Sequence, residues 1–319
     1  MARRKKKRKS LLPFLILVLI VSLFTFFREE VMDFYEEYVE DVIEDVIKDI
    51  FPSDSDEASP KPVEGTLEVH FIDVGQGDSI LVIEGDNVML IDTGDTSSES
   101  KDAIVDYLNE KSITEIDYLI LTHPDSDHIG GAPTVIEAFT VVNCIMPDVV
   151  KDTKIYEDTL TALDEREVNV IAAESGADFT LGEADFKVLA PNSESYSDWN
   201  DYSVVIRLVY GKRSMLFTGD AHVESEAEIL ENCSASDIDC DLLKVGHHGS
   251  RTSTGEDFLK AASPTYAIIS CGEGNKYDHP HAETLVKLEK AKVTVYRTDI
   301  CGSIVVITDG EKMDFRFEK

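Results

Sequence analysis

The chain has 319 residues and a mass of 35.5 kDa, which suits one large domain or two small ones. Hydrophobic residues make up 43% of it and charged residues 29%, a composition that supports a packed core and excludes a wholly disordered chain. There are 63 Asp and Glu residues against 30 Lys and Arg residues, which excludes capture of nucleic acid by a broad basic surface. A polyanionic substrate would need bound metal ions to offset this repulsion.

The chain begins with a basic cluster followed by an apolar run. Residues 1–10 hold seven Lys and Arg residues, and residues 11–27 carry no charge over 17 positions, near the shortest length for a spanning helix. No small-x-small cleavage site follows this run. The positive-inside rule therefore predicts a basic cytoplasmic tail at 1–10, a single-pass membrane anchor at 11–27 and an extracellular location for the domain that follows. A cleaved signal peptide is the alternative.

An acidic segment at 28–65 separates the anchor from the rest of the chain. Apolar residues between Val31 and Ile50 recur near one helical stripe, which predicts a short coiled-coil stalk or, equally, a solvated amphipathic spacer. Residues 52–62 are rich in Pro, Ser and acidic residues, a composition typical of linkers. The folded domain is therefore expected at 66–319.

Strands and helices alternate in the predicted domain. Strands at 67–72, 79–84 and 87–92 are separated by glycines and suggest a meander, after which a helix is predicted at 101–110 and a buried strand at 118–122. Further strands are predicted near 186–189, 203–209, 214–218, 242–245, 267–270, 293–296 and 303–308, with helices near 223–231, 257–262 and 282–291. This pattern suits an α/β fold of two sheets covered by helices on their outer faces.

Five cysteines lie in a compartment that permits disulfides. Cys233 can pair with Cys240 and Cys271 with Cys301, which would leave Cys144 unpaired, but spacing alone does not decide this. None of the five belongs to a CxxC pair, so a cysteine-ligated zinc site is not expected.

The stretch LILTHPDSDHIGG at 119–131 is the most informative part of the sequence. An apolar strand is followed within six positions by His123, Asp125, Asp127 and His128. Side chains at the end of a strand can converge on one point, and mixed imidazole and carboxylate ligands are what a divalent metal ion requires. A single residue of this kind is more often a helix cap or a turn residue, but the set predicts a metal site.

Three further segments combine a strand with ligand-type residues: MLFTGD, LLKVGHHGS and SDWNDYS. Their candidate ligands are Asp220, His247, His248 and Asn200. Six of the eight histidines lie in such segments or in the later turn NKYDHPH, namely His123, His128, His247, His248, His279 and His281. The other two, His70 and His222, are expected to be surface or structural residues.

The motifs of the predicted domain resemble those of the metallo-β-lactamase superfamily. In chain order they are LIDTG at 90–94, THPDSDHIGG at 122–131, FTGD at 217–220 and VGHHGS at 245–250. FIDVGQGDS at 71–79 and NDYS at 200–203 make the domain similar to the hydrolase domain of ComEC-type competence proteins, over about residues 66 to 310. The resemblance implies a four-layer αββα sandwich with its active site at one edge, between the two sheets.

The resemblance also implies two divalent metal ions, manganese or zinc. The implied ligands are His123, Asp125 and Asn200 for the first ion, Asp127, His128 and His247 for the second, and Asp220 as the bridge. His248 competes with His247 for its place, and Asp92 is implied as a supporting acid. Asp125 and Asn200 stand where the superfamily usually has histidine, so the first site is richer in oxygen and shifts toward manganese.

The predicted activity is metal-dependent hydrolysis, in which a metal-activated hydroxide attacks a phosphodiester, with DNA as the leading substrate. Asp127 is placed in the catalytic centre, and a general acid is expected from His248, His279 or His281. The expected partners are DNA or another phosphodiester, the membrane through the N-terminal helix, and competence or DNA-uptake proteins.

Three alternatives remain beside this activity. The first is a surface hydrolase of cell-wall or choline-phosphate esters, and the second is a non-catalytic, anchored binding module. A β-lactamase is less expected, because Asp125 and Asn200 replace two histidines. The many-helix channel of full competence proteins is absent from this chain, so we expect a stand-alone anchored domain and no DNA pore.

Overall fold

The computed structural model describes residues 65–319. The predicted basic tail at 1–10, the anchor at 11–27 and the stalk at 28–65, except Gly65, lie outside the described residues. Within residues 65–319, none of the helices combines the length and the apolar character needed to cross a bilayer.

The described residues form fifteen strands. In chain order these are β1 Leu67–Phe71, β2 Ile80–Glu84, β3 Asn87–Ile91, β4 Glu115–Ile120, β5 Thr140–Met146, β6 Asn169–Ala172, β7 Asp178–Leu181, β8 Ala184–Ala190, β9 Val205–Tyr210, β10 Arg213–Phe217, β11 Leu242–Lys244, β12 Tyr266–Ile269, β13 Thr294–Arg297, β14 Ile304–Thr308 and β15 Met313–Phe317.

Residues 65–319 also contain nine α-helices and two short 3₁₀ turns. The helices are α1 Ser98–Glu110, α2 Ser126–Ile129, α3 Ala132–Ala138, α4 Lys154–Glu165, α5 Val223–Asn232, α6 Ala235–Ile238, α7 Glu256–Ala262, α8 Ala282–Lys290 and α9 Thr298–Cys301. The 3₁₀ turns are Trp199–Tyr202 and Gly246–Gly249.

The strands form two sheets. One has the order β15-β14-β1-β2-β3-β4-β5-β6, and the other has the order β13-β12-β11-β10-β9-β8-β7. Strands β3 to β6 run parallel, as do β10 to β13, while the remaining neighbours run antiparallel. Each sheet therefore has a parallel half whose strands end at the same edge.

The apolar side chains of the described residues pack in three layers. Phe71, Phe186 and Phe217 belong to the core between the two sheets. Ile104 of α1 packs on the outer face of the first sheet, and Leu288 of α8 packs on the outer face of the second. The order of layers is therefore helix, sheet, sheet and helix, and the predicted αββα sandwich is confirmed.

Predicted and observed elements agree closely at the meander and in the C-terminal part. Helix α1 begins three residues before its predicted start, because Ser97 Oγ accepts a hydrogen bond from the Ser100 backbone N–H and caps the helix there. Eight elements were not expected: the strands β5, β6, β7 and β15 and the helices α2, α4, α6 and α9. Strands β6, β7 and β15 are short and largely exposed, so they lack the apolar runs on which strand prediction depends.

All five cysteines are free thiols. Neither of the candidate pairs, Cys233 with Cys240 and Cys271 with Cys301, forms a disulfide. Cys144 is buried in the apolar layer between the first sheet and its helices. These cysteines therefore contribute to packing and cross-link no part of the domain.

Candidate metal centre

The candidate site lies where strands of both sheets end. Asp92 follows β3 and His123 lies just beyond β4, while Asp220 lies just beyond β10 and His248 just beyond β11. All four strands belong to the parallel halves of their sheets, and ligand sites of open α/β sheets form at such carboxyl ends. The fold thus gathers side chains that are more than 100 residues apart in the chain.

A short helix presents the residues of the HPDSDH stretch. Asp125 is the N-cap of α2, and Asp127 and His128 lie within that helix. The chain at Gly77 packs so closely against it that an added Cβ would lie 2.4 Å from the Asp127 carbonyl oxygen. Gly77 also has φ at +135°, so both space and backbone require glycine. The Asp78 N–H then donates to the same carbonyl at 3.2 Å.

Two buried histidines have their Nδ1 atoms held by acceptors. His128 Nδ1 donates to Oδ2 of Asp92 at 2.7 Å, and His248 Nδ1 donates to the carbonyl oxygen of Ser270 at 3.0 Å. Because a carbonyl oxygen and a carboxylate only accept, Nδ1 carries the proton in both rings. A neutral ring of this tautomer keeps its lone pair on Nε2.

The Nδ1 atom of His123 is also held by a hydrogen bond, in this case through the Thr122 hydroxyl. The Thr122 hydroxyl donates to Oδ2 of Asp92 at 2.6 Å, and its oxygen lies 3.1 Å from His123 Nδ1. Since the hydroxyl proton is already used, the oxygen accepts from Nδ1–H of His123. Asp92 therefore orients two imidazoles, His128 directly and His123 through Thr122.

The Nε2 atoms of the three histidines face a carboxylate without any hydrogen bond. His123 Nε2, His128 Nε2, His248 Nε2 and Asp220 Oδ1 are buried and have no hydrogen-bond partner within the described part of the chain. Oδ2 of Asp220 lies 3.3 Å from His128 Nε2 and 3.4 Å from His248 Nε2. Lone pairs that face one another in a buried site are costly unless a cation lies between them.

This donor set fits divalent metal ions. The ligand atoms of His123, His128 and Asp220 lie within 4.8 Å of one another. Those of Asp127, His128 and His248 satisfy the same limit. Imidazole nitrogen and carboxylate oxygen together suit zinc, manganese and iron, and histidines held through their second nitrogen are typical of metal sites. We call these five residues the metal cluster.

The charged groups of the metal cluster shift one another's pKa values strongly. Burial would raise the pKa of the Asp220 carboxyl, but His248 and His128 hold it well below its usual range. Burial would lower the pKa of His248, but the Asp220 and Asp78 carboxylates raise it to about 10. The carboxylates thus attract positive charge to the site, as protons on imidazole or as metal ions.

A buried ion pair between Lys244 and Asp78 lies next to the metal cluster. The sequence analysis did not predict it. The Lys244 side chain is fully buried, and its Nζ atom contacts Asp78 and lies 3.3 Å from the Gly219 carbonyl oxygen. Oδ1 of Asp78 lies 3.4 Å from His248 Nδ1. Burial would raise the pKa of the Asp78 carboxyl, but Lys244 and His248 lower it to about 2. A lysine inside the apolar run LLKV was the signal for this pair.

The two histidines of the turn VGHHGS point in different directions. His247 and His248 both adopt left-handed backbone angles, with φ of 49° and 53°. His248 is buried, and its Nε2 lies 3.4 Å from Asp127. His247 is partly exposed, with Nε2 at 3.6 Å from Asp220 and Nδ1 at 2.9 Å from Nε2 of His222. The geometry therefore favours His248 within the cluster and His247 at its rim.

Asp125 and Asn200 lie near the metal cluster, and Asp125 belongs to none of its groups of ligand atoms. Asp125 forms an ion pair with Lys151, and the Asn200 amide nitrogen lies 3.2 Å from Nε2 of His222. Their roles as ligands of a first ion stay predictions. His222, expected to be a surface or structural residue, stacks on His247 at 5.0 Å between ring centroids. Its position two residues after Asp220 was the signal that sequence analysis passed over.

The remaining histidines are His279 and His281, whose ring centroids lie 4.9 Å apart, and His70. His279 lies 6.1 Å from His248 between ring centroids. His281 has its Nδ1 hydrogen-bonded to the Arg251 backbone N–H at 3.1 Å and is the N-cap of α8. His70 is buried against Tyr107 on the other side of the first sheet, which agrees with a structural role.

A family model described as the metallo-beta-lactamase superfamily matches residues 72–273. Among curated relatives, ComE operon protein 3 of Bacillus subtilis is 36% identical over 253 residues, covering 74% of this chain and 32% of the relative. Competence protein ComA of Neisseria gonorrhoeae is 32% identical over 256 residues, covering 80% of this chain and 34% of the relative. The chain therefore spans about a third of the length of these relatives.

A solved structure shows the same fold. The metallo-beta-lactamase fold protein YhfI from Bacillus subtilis aligns with a TM-score of 0.50 and 15% identity, covering 73% of this chain and 96% of that one. The resemblance predicted from the motifs is confirmed, both to the superfamily and to competence-related proteins.

Proposed function

The chain belongs to the metallo-β-lactamase superfamily, and from that premise we propose that it is a membrane-anchored, extracytoplasmic phosphodiesterase that hydrolyses DNA with two divalent metal ions. The observation that carries the proposal is the metal cluster, in which buried imidazole nitrogens and a carboxylate face one another without hydrogen bonds. The similarity to competence-related proteins supports DNA as the substrate. A role alongside DNA-uptake proteins is part of the same proposal.

The protein's own residues prepare the site before any substrate arrives. Asp92 holds His128 and, through Thr122, His123, so that their Nε2 atoms point inward. Divalent ions held there, manganese or zinc, supply the charge that lowers the pKa of water and attracts phosphate oxygens. Burial of His123, His128 and Asp220 keeps bulk water away and strengthens these electrostatic interactions.

The need for metal ions follows from the charge of the chain. Its formal net charge is −33, and the carboxylates included in that total place Asp127 and Asp220 at the reaction site. A phosphodiester anion that approaches this site is repelled unless the positive charge of bound cations offsets the negative charge of the local carboxylates. Metal-free protein should therefore bind DNA weakly as well as fail to cleave it.

In this proposal, His279 donates a proton to the leaving oxygen. Its Nδ1 atom is buried and has no hydrogen-bond partner within residues 65–319. The ring lies 5.3 Å from that of His247. His281 is less suited, because its Nδ1 accepts from the Arg251 backbone and its Nε2 lies 3.3 Å from the Arg251 guanidinium. We therefore assign the proton transfer to His279 as part of the proposal.

The test uses the full chain in a mild detergent, stripped of metal by a chelator and refilled with Mn²⁺ or Zn²⁺. Plasmid DNA, a small phosphodiester and a choline-phosphate diester are assayed side by side. We expect DNA cleavage that returns with Mn²⁺ and is nearly abolished in Asp127→Ala and Asp220→Ala. The exposed Asp314→Ala of β15 is the matched control and should retain activity.

Three results would contradict the proposal. DNA cleavage that survives both Asp127→Ala and Asp220→Ala would exclude the assigned centre. Hydrolysis of the choline-phosphate diester alone would favour a surface esterase. Absence of hydrolysis with every substrate, in protein that holds fewer than two metal ions per chain, would favour a binding module.

A further inference from the structure

Two exposed aromatic side chains flank the metal cluster, each with a lysine against its ring. Trp199, in the 3₁₀ turn Trp199–Tyr202, is 38% exposed, and Lys151 Nζ lies 5.1 Å from its ring centroid. Tyr277 is 47% exposed, and Lys276 Nζ lies 4.9 Å from its ring centroid. Trp199 also lies 5.7 Å from Tyr202 between ring centroids, so each ring is partly covered and partly exposed, with a positive charge beside it in a chain that has few positive charges.

The Trp199 side is connected to the cluster by two contacts. The ammonium group of Lys151 also pairs with Asp125, the N-cap of the helix that carries cluster residues. Asn200, the next residue after Trp199, contacts Nε2 of His222 at 3.2 Å. Trp199 and Lys151 therefore lie at the rim of the site and are fixed relative to it.

Aromatic rings continue along the rim to the Tyr277 side. His222 stacks on His247, with centroids 5.0 Å apart, and His247 meets His279 at 5.3 Å. Tyr277 stacks on His279 at 5.6 Å, with an angle of 25° between the rings. The two aromatic and lysine pairs thus lie at opposite ends of one row of rings that borders the cluster.

The chemistry of such a rim matches an unpaired nucleotide strand. Exposed aromatic faces stack on bases of any sequence, and lysines beside them contact the phosphates that link those bases. Bases inside a duplex are covered by their neighbours and cannot reach a protein ring without being unstacked. Because the surrounding surface is acidic, stacking supplies an affinity that general electrostatic attraction cannot.

We propose that Trp199 with Lys151 and Tyr277 with Lys276 bind a single-stranded oligonucleotide, with bases stacked on the two rings while the backbone crosses the metal cluster. The inference rests on the proposed phosphodiesterase function, and it names the substrate as unpaired strand. Duplex DNA then becomes a substrate only at ends, gaps or locally opened regions.

Trp199 is the single tryptophan of the chain, so its fluorescence reports directly on this rim. The Zn²⁺-loaded full chain is titrated with a ten-residue thymidylate whose phosphorothioate linkages resist hydrolysis. A ten-residue abasic strand with the same linkages is the matched ligand, since it keeps the charge and lacks the bases. We expect fluorescence quenching by the thymidylate strand and little change with the abasic strand.

Variants separate stacking from general charge attraction. Fluorescence anisotropy of labelled strands gives Kd for each protein. Trp199→Ala should weaken thymidylate binding by about tenfold or more and leave abasic binding unchanged, while Trp199→Phe should retain most of the affinity. Tyr277→Ala should act in the same direction. Phe317→Ala removes a comparably exposed aromatic of β15 far along the chain and should have no effect.

Equal affinity for the two strands would overturn the proposal, as would equal weakening by Phe317→Ala and Trp199→Ala. Hydrolysis of a base-free phosphodiester, methyl 4-nitrophenyl phosphate, tests the proposed function separately. Hydrolysis without selective thymidylate binding would exclude the rim and retain the enzyme. Selective binding without hydrolysis of any diester would retain the rim and exclude the enzyme.

Discussion

His128 Nδ1 lies 2.7 Å from Oδ2 of Asp92, and both side chains are fully buried. The same carboxylate oxygen accepts the hydroxyl proton of Thr122, which in turn orients His123. One carboxylate outside the metal cluster thus determines the direction of two of its imidazoles. Such outer hydrogen bonds commonly govern metal affinity.

Replacing Asp92 by asparagine should weaken metal binding by about 10- to 100-fold. The asparagine amide group would place an N–H donor against Thr122 or His128, where the structure needs an acceptor. Equilibrium dialysis with Zn²⁺ or Mn²⁺ measures the change. Asp117→Asn is the control, because that carboxylate accepts from the Val88 backbone in the same sheet and should leave metal affinity intact. Equal affinities in both variants would contradict this role.

The two histidines of the VGHHGS turn should differ in their effect on metal affinity. His248 is buried with an unpartnered Nε2 that faces two carboxylates, whereas His247 is partly exposed and already paired with His222. We expect His248→Ala to lower metal affinity more than His247→Ala does. Isothermal titration of metal into each chelator-treated variant measures the difference, and the reverse order would assign His247 as the ligand.

Breaking the ion pair beneath the site should be costly for the fold. Lys244→Met leaves the Asp78 carboxylate buried without its partner, and such changes destabilise proteins by about 3–5 kcal/mol. Lys212→Met breaks the exposed pair with Glu311 and should cost less than about 1 kcal/mol. Urea unfolding followed by Trp199 fluorescence compares the two variants. A Lys244→Met protein as stable as Lys212→Met would show that the buried pair contributes little.

Glu226 should make the domain less stable as pH rises. Burial raises the pKa of its carboxyl from 4.5 to about 7, although the Gly255 and Thr254 backbone N–H groups oppose the shift. Between these pH values the folded chain keeps a proton that the unfolded chain releases, so stability is full below about pH 4.5 and falls toward pH 7. The shift corresponds to about 3 kcal/mol at most.

Glu226→Gln should flatten this slope, because glutamine does not titrate. Unfolding free energies between pH 4.5 and 7.5, measured with chelator present, give the slope for each protein. Exposed Glu224 of the same helix provides the control, and Glu224→Gln should retain the wild-type slope. Parallel curves for wild type and Glu226→Gln would indicate that the buried carboxyl does not hold its proton.

Much of the site could be predicted from the amino-acid sequence. His123, Asp127, His128 and Asp220 follow apolar strands at short range, and strand ends of parallel sheets are where ligands gather. The meander, the helices on both outer faces and the αββα order followed from hydrophobic periodicity and motif resemblance. Local patterns were sufficient for the strands, the helices and the site motifs, because each of these lies in a short stretch of chain. The αββα order was implied by the motif resemblance.

Two features depended on the folded molecule. Two neighbouring histidines have identical chemistry, and only the left-handed turn at His247 and His248 decides which ring faces Asp220. Asp78 and Lys244 meet across the two sheets, and no local pattern specifies such a contact. Packing between distant strands places these groups, so their partners appear only when the sheets assemble.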